Sequence, residues 1–395
     1  MPRPPASRQS ILTRPLVAAF AASFGTVMSF YLLLSVVPMY ATSVGAGTVG
    51  AGLATGAMMF ATMATELAVP RLVARFGYRL VCAAALLLIG APALALPLSA
   101  SMTVILALCV VRGVGLAVIF VVGSALVASL VPAERRGEGL GLYGVVVGVP
   151  SIVGLPLGVW LAGHVGFGPV FVAGALVALA PLAVVPGLPE RAATPESPHG
   201  LLAGARTRAL ARPSLFMAVS ALATSIAVTF LPLAIAHATG SLAALALLVQ
   251  AATSTLCRWW AGHHGDRHGS ARLLLPGVLA VVAGTVALAR IDSAAAVLVG
   301  MALLGSGFGI VQNASLALMF DRVSPAAYDA VSALWNLAYD GGLGLGAAAF
   351  GVVSARTGYP MAFAITAGCM LVVLAPVWRD RAHAAPTRNP ELSQS

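Results

Sequence analysis

The chain has 395 residues, of which 59% are hydrophobic and only 9% charged, and its mean hydropathy is +0.97. A soluble domain carries about 25% charged residues, so this chain has too little charge to cover a water-facing surface, and a soluble fold is excluded. The net charge of +10 would otherwise point to nucleic acid, but all 22 basic residues are arginines, lying mostly between apolar runs, which is the pattern of a protein seated in a bilayer.

The basic arm "MPRPPASRQSILTRP" leads into an apolar stretch too long for a signal-peptide core, and reads as a cytoplasmic arm before the first span. A hydrocarbon core of about 30 Å needs roughly 20 apolar residues per helix. On that ruler the predicted spans are 16–42, 48–72, 79–98, 102–131, 137–163, 167–188, 214–237, 241–264, 272–290, 294–321, 326–355 and 359–379. The Pro-rich, charged segment 189–213 separates the first six from the last six, and a polar tail, 380–395, follows the twelfth. The expected fold is therefore an all-α membrane protein of twelve transmembrane helices. Its two six-helix halves are 1–188 and 214–379, joined by a cytoplasmic linker. The cysteines Cys82, Cys109, Cys257 and Cys369 all lie in apolar runs and read as small buried hydrophobes.

With both termini inside, 18 arginines fall on the cytoplasmic side. Only Arg290 and Arg356 fall outside, and Arg112 and Arg258 lie within spans. Such a bias sets orientation and supports an even number of crossings. The two halves also repeat at one shift of 192 positions. Arg75-Phe76-Gly77 matches Arg267-His268-Gly269, Gly113 and Gly115 match Gly305 and Gly307, and Gly166-Phe167 matches Gly358-Tyr359. Phe171 with Phe363 and Gly154 with Gly346 follow the same shift. The pattern predicts one six-helix unit used twice in parallel, an arrangement suited to rocking around a site at the membrane midplane.

A few polar residues inside the spans carry the candidate chemistry. Arg112 lies about ten residues into span four, where a cation is tolerated only beside a water-filled cavity or a partner. It either meets an anionic group or an acid, or is a structural cation bonding helix carbonyls. Asp340, in span eleven, has Asn336 four residues back on the same helical face, and Trp335 and Tyr339 form an aromatic pair one step round. A desolvated acid of this kind can take up and release a proton near neutral pH; the alternative is a fixed interhelical hydrogen bond. Arg112 and Asp340 belong to different halves, and we expect the arginine to hold the acid in one gate state and release it on protonation. Glu66 and Arg258 are repeat equivalents of opposite sign, each just before a loop, and read as gate residues. Gln250, Gln312 and Asn313 are polar enough to line a cavity or to join helices by hydrogen bonds worth about 0.6 kcal/mol.

Metal is not expected at His263, His264, Asp266 and His268, because the intervening glycines spoil a fixed spacing of ligands. The run "GGLGLG" at 341–346 falls within a span and follows no strand, so it is no nucleotide loop. No cofactor is expected, and no Ser-His-Asp or His-rich cluster at one membrane depth suggests an enzyme.

Gly262, Asp266, Arg267 and Gly269 stand in "GHHGDRHGSAR" at the spacing by which the chain resembles, over nearly its whole length, the major facilitator superfamily, whose loop signature is roughly G-x-x-x-D-R-x-G-R-R. In "PRLVARFGYRL" it is matched by Arg75, Gly77 and Arg79, with Pro70 and Ala74 in place of the glycine and the aspartate. "GVPSIVGLPLG", with Gly148, Gly154, Pro156 and Gly158, is similar to the span-five antiporter motif, with Leu155 where a proline is expected. The resemblance implies a monomeric secondary transporter that binds a small-molecule substrate and protons within the lipid bilayer. Proton-coupled efflux of a small amphipathic compound is the expected activity. An importer or uniporter of a polar metabolite, and a non-transporting sensor or scaffold, are the alternatives. The Arg, Ala, Gly and Val bias is that of a GC-rich bacterial genome, so the expected site is the bacterial inner membrane with both termini cytoplasmic.

Overall fold

The computed structural model describes residues 13–131, 136–190, 208–235, 240–323 and 328–371. The arm before residue 13, most of the 189–213 linker, the loop at 132–135, the end of the last predicted span and the 380–395 tail lie outside the described residues. The described elements are helices, with no strand among them: α1 Arg14–Leu34, α2 Val36–Ala41, α3 Gly47–Glu66, α4 Val69–Ala95, α5 Met102–Leu130, α6 Arg136–Val165 and α7 Phe167–Leu179, then α8 Arg208–Ala234, α9 Gly240–His268, α10 Ala271–Ala287, α11 Ala294–Phe320, α12 Tyr328–Thr357 and α13 Tyr359–Leu371. In a bilayer every backbone polar group must be satisfied within the protein, and helices do this within one segment.

Among the described residues nine helical runs are long and apolar enough to cross a membrane, and α10 and α13 are shorter apolar helices. The first run, Arg14–Glu66, covers two predicted spans. They join because Gly45 and Gly47 take positive φ (+93° and +61°) and turn the chain across the irregular segment Thr42–Ala46 without a loop. The signature around Gly77, expected as a loop, also lies within a helix assignment: α4 starts at Val69 and breaks at Gly77, with φ +78°.

Two compact units emerge: residues 1–46 with 57–197, and residues 47–56 with 198–395. The first ten residues of α3 therefore pack in the second unit. Small residues allow this close approach. A Cβ on Gly52 would meet the carbonyl of Ala347 and the ring of Phe230, and a Cβ on Gly351 would lie 2.6 Å from the Thr48 carbonyl. The Thr48 hydroxyl donates to the Gly351 carbonyl at 3.1 Å, and the Thr55 and Thr229 hydroxyls lie 3.4 Å apart.

The repeat seen in the sequence reappears in backbone geometry. Gly77 and Gly269 both have positive φ (+78° and +87°), as do Gly166 and Gly358 (+83° and +76°). Contacts repeat as well. Gly113 is pressed against the Met58 carbonyl and its equivalent Gly305 against the Gln250 carbonyl. Gly115 lies against Ala85 and Ile89, and Gly307 against Gly277 and Val281. Every one of these partners is displaced by the same 192 positions, so each unit builds the same helix crossings with glycine at the same points. The matched Phe171 and Phe363 both pack edge-on or tilted against another ring, Tyr40 at 5.3 Å and Phe350 at 4.9 Å.

Within the first unit, α6 crosses α1 through two of the glycines in the antiporter-like motif. A Cβ on Gly154 would lie 3.0 Å from the Leu32 nitrogen, and one on Gly158 would strike the Leu32 carbonyl. Gly148 has nothing within 4 Å of such an atom. Gly158→Val is therefore expected to destabilise the protein by about 1–3 kcal/mol, the usual overpacking penalty, while Gly148→Ala leaves the melting temperature unchanged or higher. Melting curves of the two purified variants check this; equal behaviour would show that the α1–α6 crossing is not tight.

Candidate functional site

In the first unit the buried cation is held by main chain. Arg112 is 1% exposed. Its Nε donates to the Ile89 carbonyl on α4 at 3.2 Å, and its Nη2 to the Ser29 carbonyl on α1 at 3.4 Å. The local sequence explains why it points there. Gly113 and Gly115 let α5 lie directly on α3 and α4, and the Thr62 hydroxyl ties that crossing by donating to the Met58 and Gly113 carbonyls at 2.9 and 3.1 Å. A long side chain at position 112 is left to thread between α4 and α1. The hydroxyls of Thr26 and Ser29, both buried on α1, have no hydrogen-bond partner among the described residues. Ser29, whose carbonyl meets the guanidinium, thus adds a buried polar group to this part of an apolar unit.

The first-half signature does a different job. The Arg75 guanidinium lies 5.2 Å over the Phe76 ring. Arg79 donates to the Leu188 carbonyl and to the Glu190 carboxylate, both at 2.7 Å, and the Tyr78 amide donates to the Glu190 carbonyl at 3.1 Å. The start of the linker is thus fastened to the break at Gly77. The ion pair is 42% and 76% exposed on its two sides, so it contributes little energy, about 0–1 kcal/mol, and its value is positional. Glu66 closes α3, half-buried.

In the second unit, Asp340 is 3% exposed on α12, with Asn336 half-buried one turn before it. Gly342 and Gly346 bring this helix onto the Ala218 and Leu222 carbonyls of α8. Gln250 is 4% exposed, and its carbonyl marks the α9–α11 crossing at Gly305. Two helices, α9 and α12, then converge on one stripe of α11. The Arg258 Nη1 on α9 donates to the Gln312 Oε1 at 3.2 Å. The Trp335 Nε1 on α12 donates to the Ser315 hydroxyl at 3.0 Å. Tyr339 stacks on Trp335 with rings 5.8 Å apart at 2°, and on Phe308 at 6.2 Å and 28°. Phe308, Gln312 and Ser315 are spaced i, i+4, i+7, so they share one face. Asn313 lies against Gly262, whose Cβ would be 3.4 Å from the Asn313 Nδ2.

Among the sequence candidates, then, Arg258, Gln312, Trp335 and Tyr339 come together. Phe308 and Ser315 were missed, although their spacing from Gln312 was readable. The second-half signature is helical rather than looped. No proline interrupts α9, which runs on to His268 and stops where Gly269 takes positive φ. The spacing expected to be spoiled is thus preserved: Trp260 stacks on His264 at 4.9 Å, and His264 on His268 at 4.2 Å. Arg267 is exposed, and the side chain of Asp266 lies outside the described residues.

Comparison with known proteins agrees with this architecture. By sequence the chain has no match among curated proteins. Among solved structures it is similar to the nucleoside transporter NupG, with a TM-score of 0.73 at 14% identity over 93% of this chain and 98% of that one. It is also similar to a bacterial homolog of the human lysosomal transporter Spinster, in an inward-facing and occupied conformation. There the TM-score is 0.78 at 15% identity, over 93% of this chain and 96% of that one. The sequence profile described as Major Facilitator Superfamily matches residues 19–347 and 213–394. With its apolar helical runs, its two repeated units and this match along its length, the chain belongs to the major facilitator superfamily of secondary transporters.

Proposed function

We propose that this transporter exports a small amphipathic compound in exchange for protons. The observation that carries the reading is Asp340, a carboxylate 3% exposed in a helix long and apolar enough to span the bilayer. Acids in such positions are rare and mark ion and proton pathways. Asn336 one turn away supplies a polar neighbour, and Arg112 supplies a buried cation in the other unit. In this reading Asp340 takes a proton in one conformation and yields it in the other. Arg112 exchanges its two main-chain carbonyls for the substrate as the cycle proceeds. The amphipathic substrate is supported by the cluster on α11, where rings and hydrogen-bonding groups share one face. Purified protein in proteoliposomes tests the reading. An imposed pH gradient should drive accumulation of substrate, and uptake that is indifferent to the gradient would identify a facilitator instead.

The same reading seats the protein in a bacterial inner membrane as a monomer, with both termini in the cytoplasm. A phosphatase or fluorescent reporter fused after residue 395, or within 189–213, is expected to report cytoplasm. A periplasmic signal at either point would overturn the orientation drawn from the arginine bias.

A further inference from the structure

We propose that Arg258, Trp335 and Tyr339, held over the face of α11 that bears Phe308, Gln312 and Ser315, bind the aromatic, anionic part of the substrate, with Arg258 reading the negative charge. This rests on the transporter reading above and adds the chemical class of the cargo. Three observations support it. First, Arg258 is a half-buried guanidinium in a membrane-spanning helix, and among the described residues its one hydrogen bond goes to a neutral amide, Gln312. Arginine carries five N–H donors in a planar fork matched to carboxylate geometry. A cation at this depth with a neutral partner has unused capacity for an anion, and a site of low polarity strengthens that attraction.

Second, the neighbouring rings are held in place before any ligand arrives. Trp335 is oriented by its bond to the Ser315 hydroxyl at 3.0 Å, and Tyr339 is fixed between Trp335 and Phe308. The Trp335 and Tyr339 rings are parallel within 2°, and both are half-buried rather than sealed in the core. A planar ligand ring can extend this stack without reorganising it, and preorganised contacts of this kind are efficient. Third, the cationic and aromatic parts lie on adjacent turns. Residues three and four apart on a helix are neighbours, with Cβ atoms about 5–6 Å apart. Gln312, which meets Arg258, is four residues from Phe308 and three from Ser315. A ring carrying a carboxylate fits that separation, whereas an aliphatic acid would use only Arg258 and an aromatic cation only the rings.

Equilibrium binding to the purified full chain in nanodiscs tests this with four probes: naphthoate, cyclohexanecarboxylate, naphthylmethanol and naphthylmethylamine. Naphthoate is expected to bind at least about tenfold more tightly than each of the others, a difference that one charge contact or one ring contact can supply. Arg258→Gln should reduce naphthoate to the level of naphthylmethanol. Trp335→Leu should reduce it to the level of cyclohexanecarboxylate. Arg258→Lys should keep part of the preference, and melting curves establish that each variant is folded. The proposal is overturned if naphthoate does not bind, if naphthylmethylamine binds as well, or if folded Arg258→Gln keeps the preference. Because binding needs no gradient, selective binding without pH-driven flux would sink the export reading and leave the site standing. Flux without the anion preference would do the reverse.

Discussion

Asp340→Asn is expected to abolish pH-driven accumulation while leaving exchange of substrate across the membrane intact. The substitution keeps the shape and polarity of the side chain but removes its charge and its ability to gain and lose a proton. One proton carried per cycle couples a pH difference of one unit, about 1.4 kcal/mol, to a substrate gradient of about tenfold. The Asn variant should therefore hold no gradient, although it equilibrates labelled substrate between the two sides of a vesicle. The contrast separates coupling from folding, because a misfolded protein would lose exchange as well. Asp340 is 3% exposed on a helix packed tightly through Gly342 and Gly346, so melting curves should accompany the flux measurement. If Asp340→Asn still concentrates substrate under a pH gradient, coupling belongs to Glu66 or to another group.

Arg112 carries the second large effect. Its guanidinium spans two helices, reaching Ile89 on α4 and Ser29 on α1. A lysine keeps the charge but not the fork. The loss of one charge-assisted bond is worth about 1.5–3 kcal/mol, so Arg112→Lys should lower transport by about tenfold or more. Arg112→Met distinguishes a tie from a working cation. Removing one partner of a buried ion pair leaves a charge stranded and is costly, but the partners of Arg112 are two neutral carbonyls in helices that already provide hydrogen bonding, so its removal strands no charge. We expect Arg112→Met to fold with an unchanged or higher melting temperature and to lose transport. Wild-type flux in that variant would show that Arg112 only braces α5 against its neighbours.

The fold was legible because it is written in composition and period. Apolar runs of bilayer length, arginines in the loops between them and a constant shift of 192 positions are local or strictly periodic features. The matched glycines went further than expected, since Gly77 with Gly269 and Gly166 with Gly358 share their positive φ as well as their place. Joints between helices were less legible. The break at Gly45–Gly47 and the helical course of Gly262–His268 depend on whether a glycine takes positive φ, and identity alone does not decide that. Gly262 and Gly265 lie within α9, whereas Gly269 ends it.

The site divides along the same line. Sequence by itself determined that Arg112, Arg258 and Asp340 lie in membrane helices, because charge is conspicuous in an apolar run, and that Trp335 and Tyr339 share a helical face, because their spacing is four. Only the tertiary structure decided what each one meets. Arg112 turns to two main-chain carbonyls because Gly113 and Gly115 press α5 onto α3 and α4 and leave one direction open to a long side chain. Arg258 joins Gln312, and Trp335 joins Ser315, because α9 and α12 both reach the same face of α11. Depth in the membrane follows from position along one helix, whereas a partner is set by how several helices cross, and those crossings depend on small residues scattered over the whole chain.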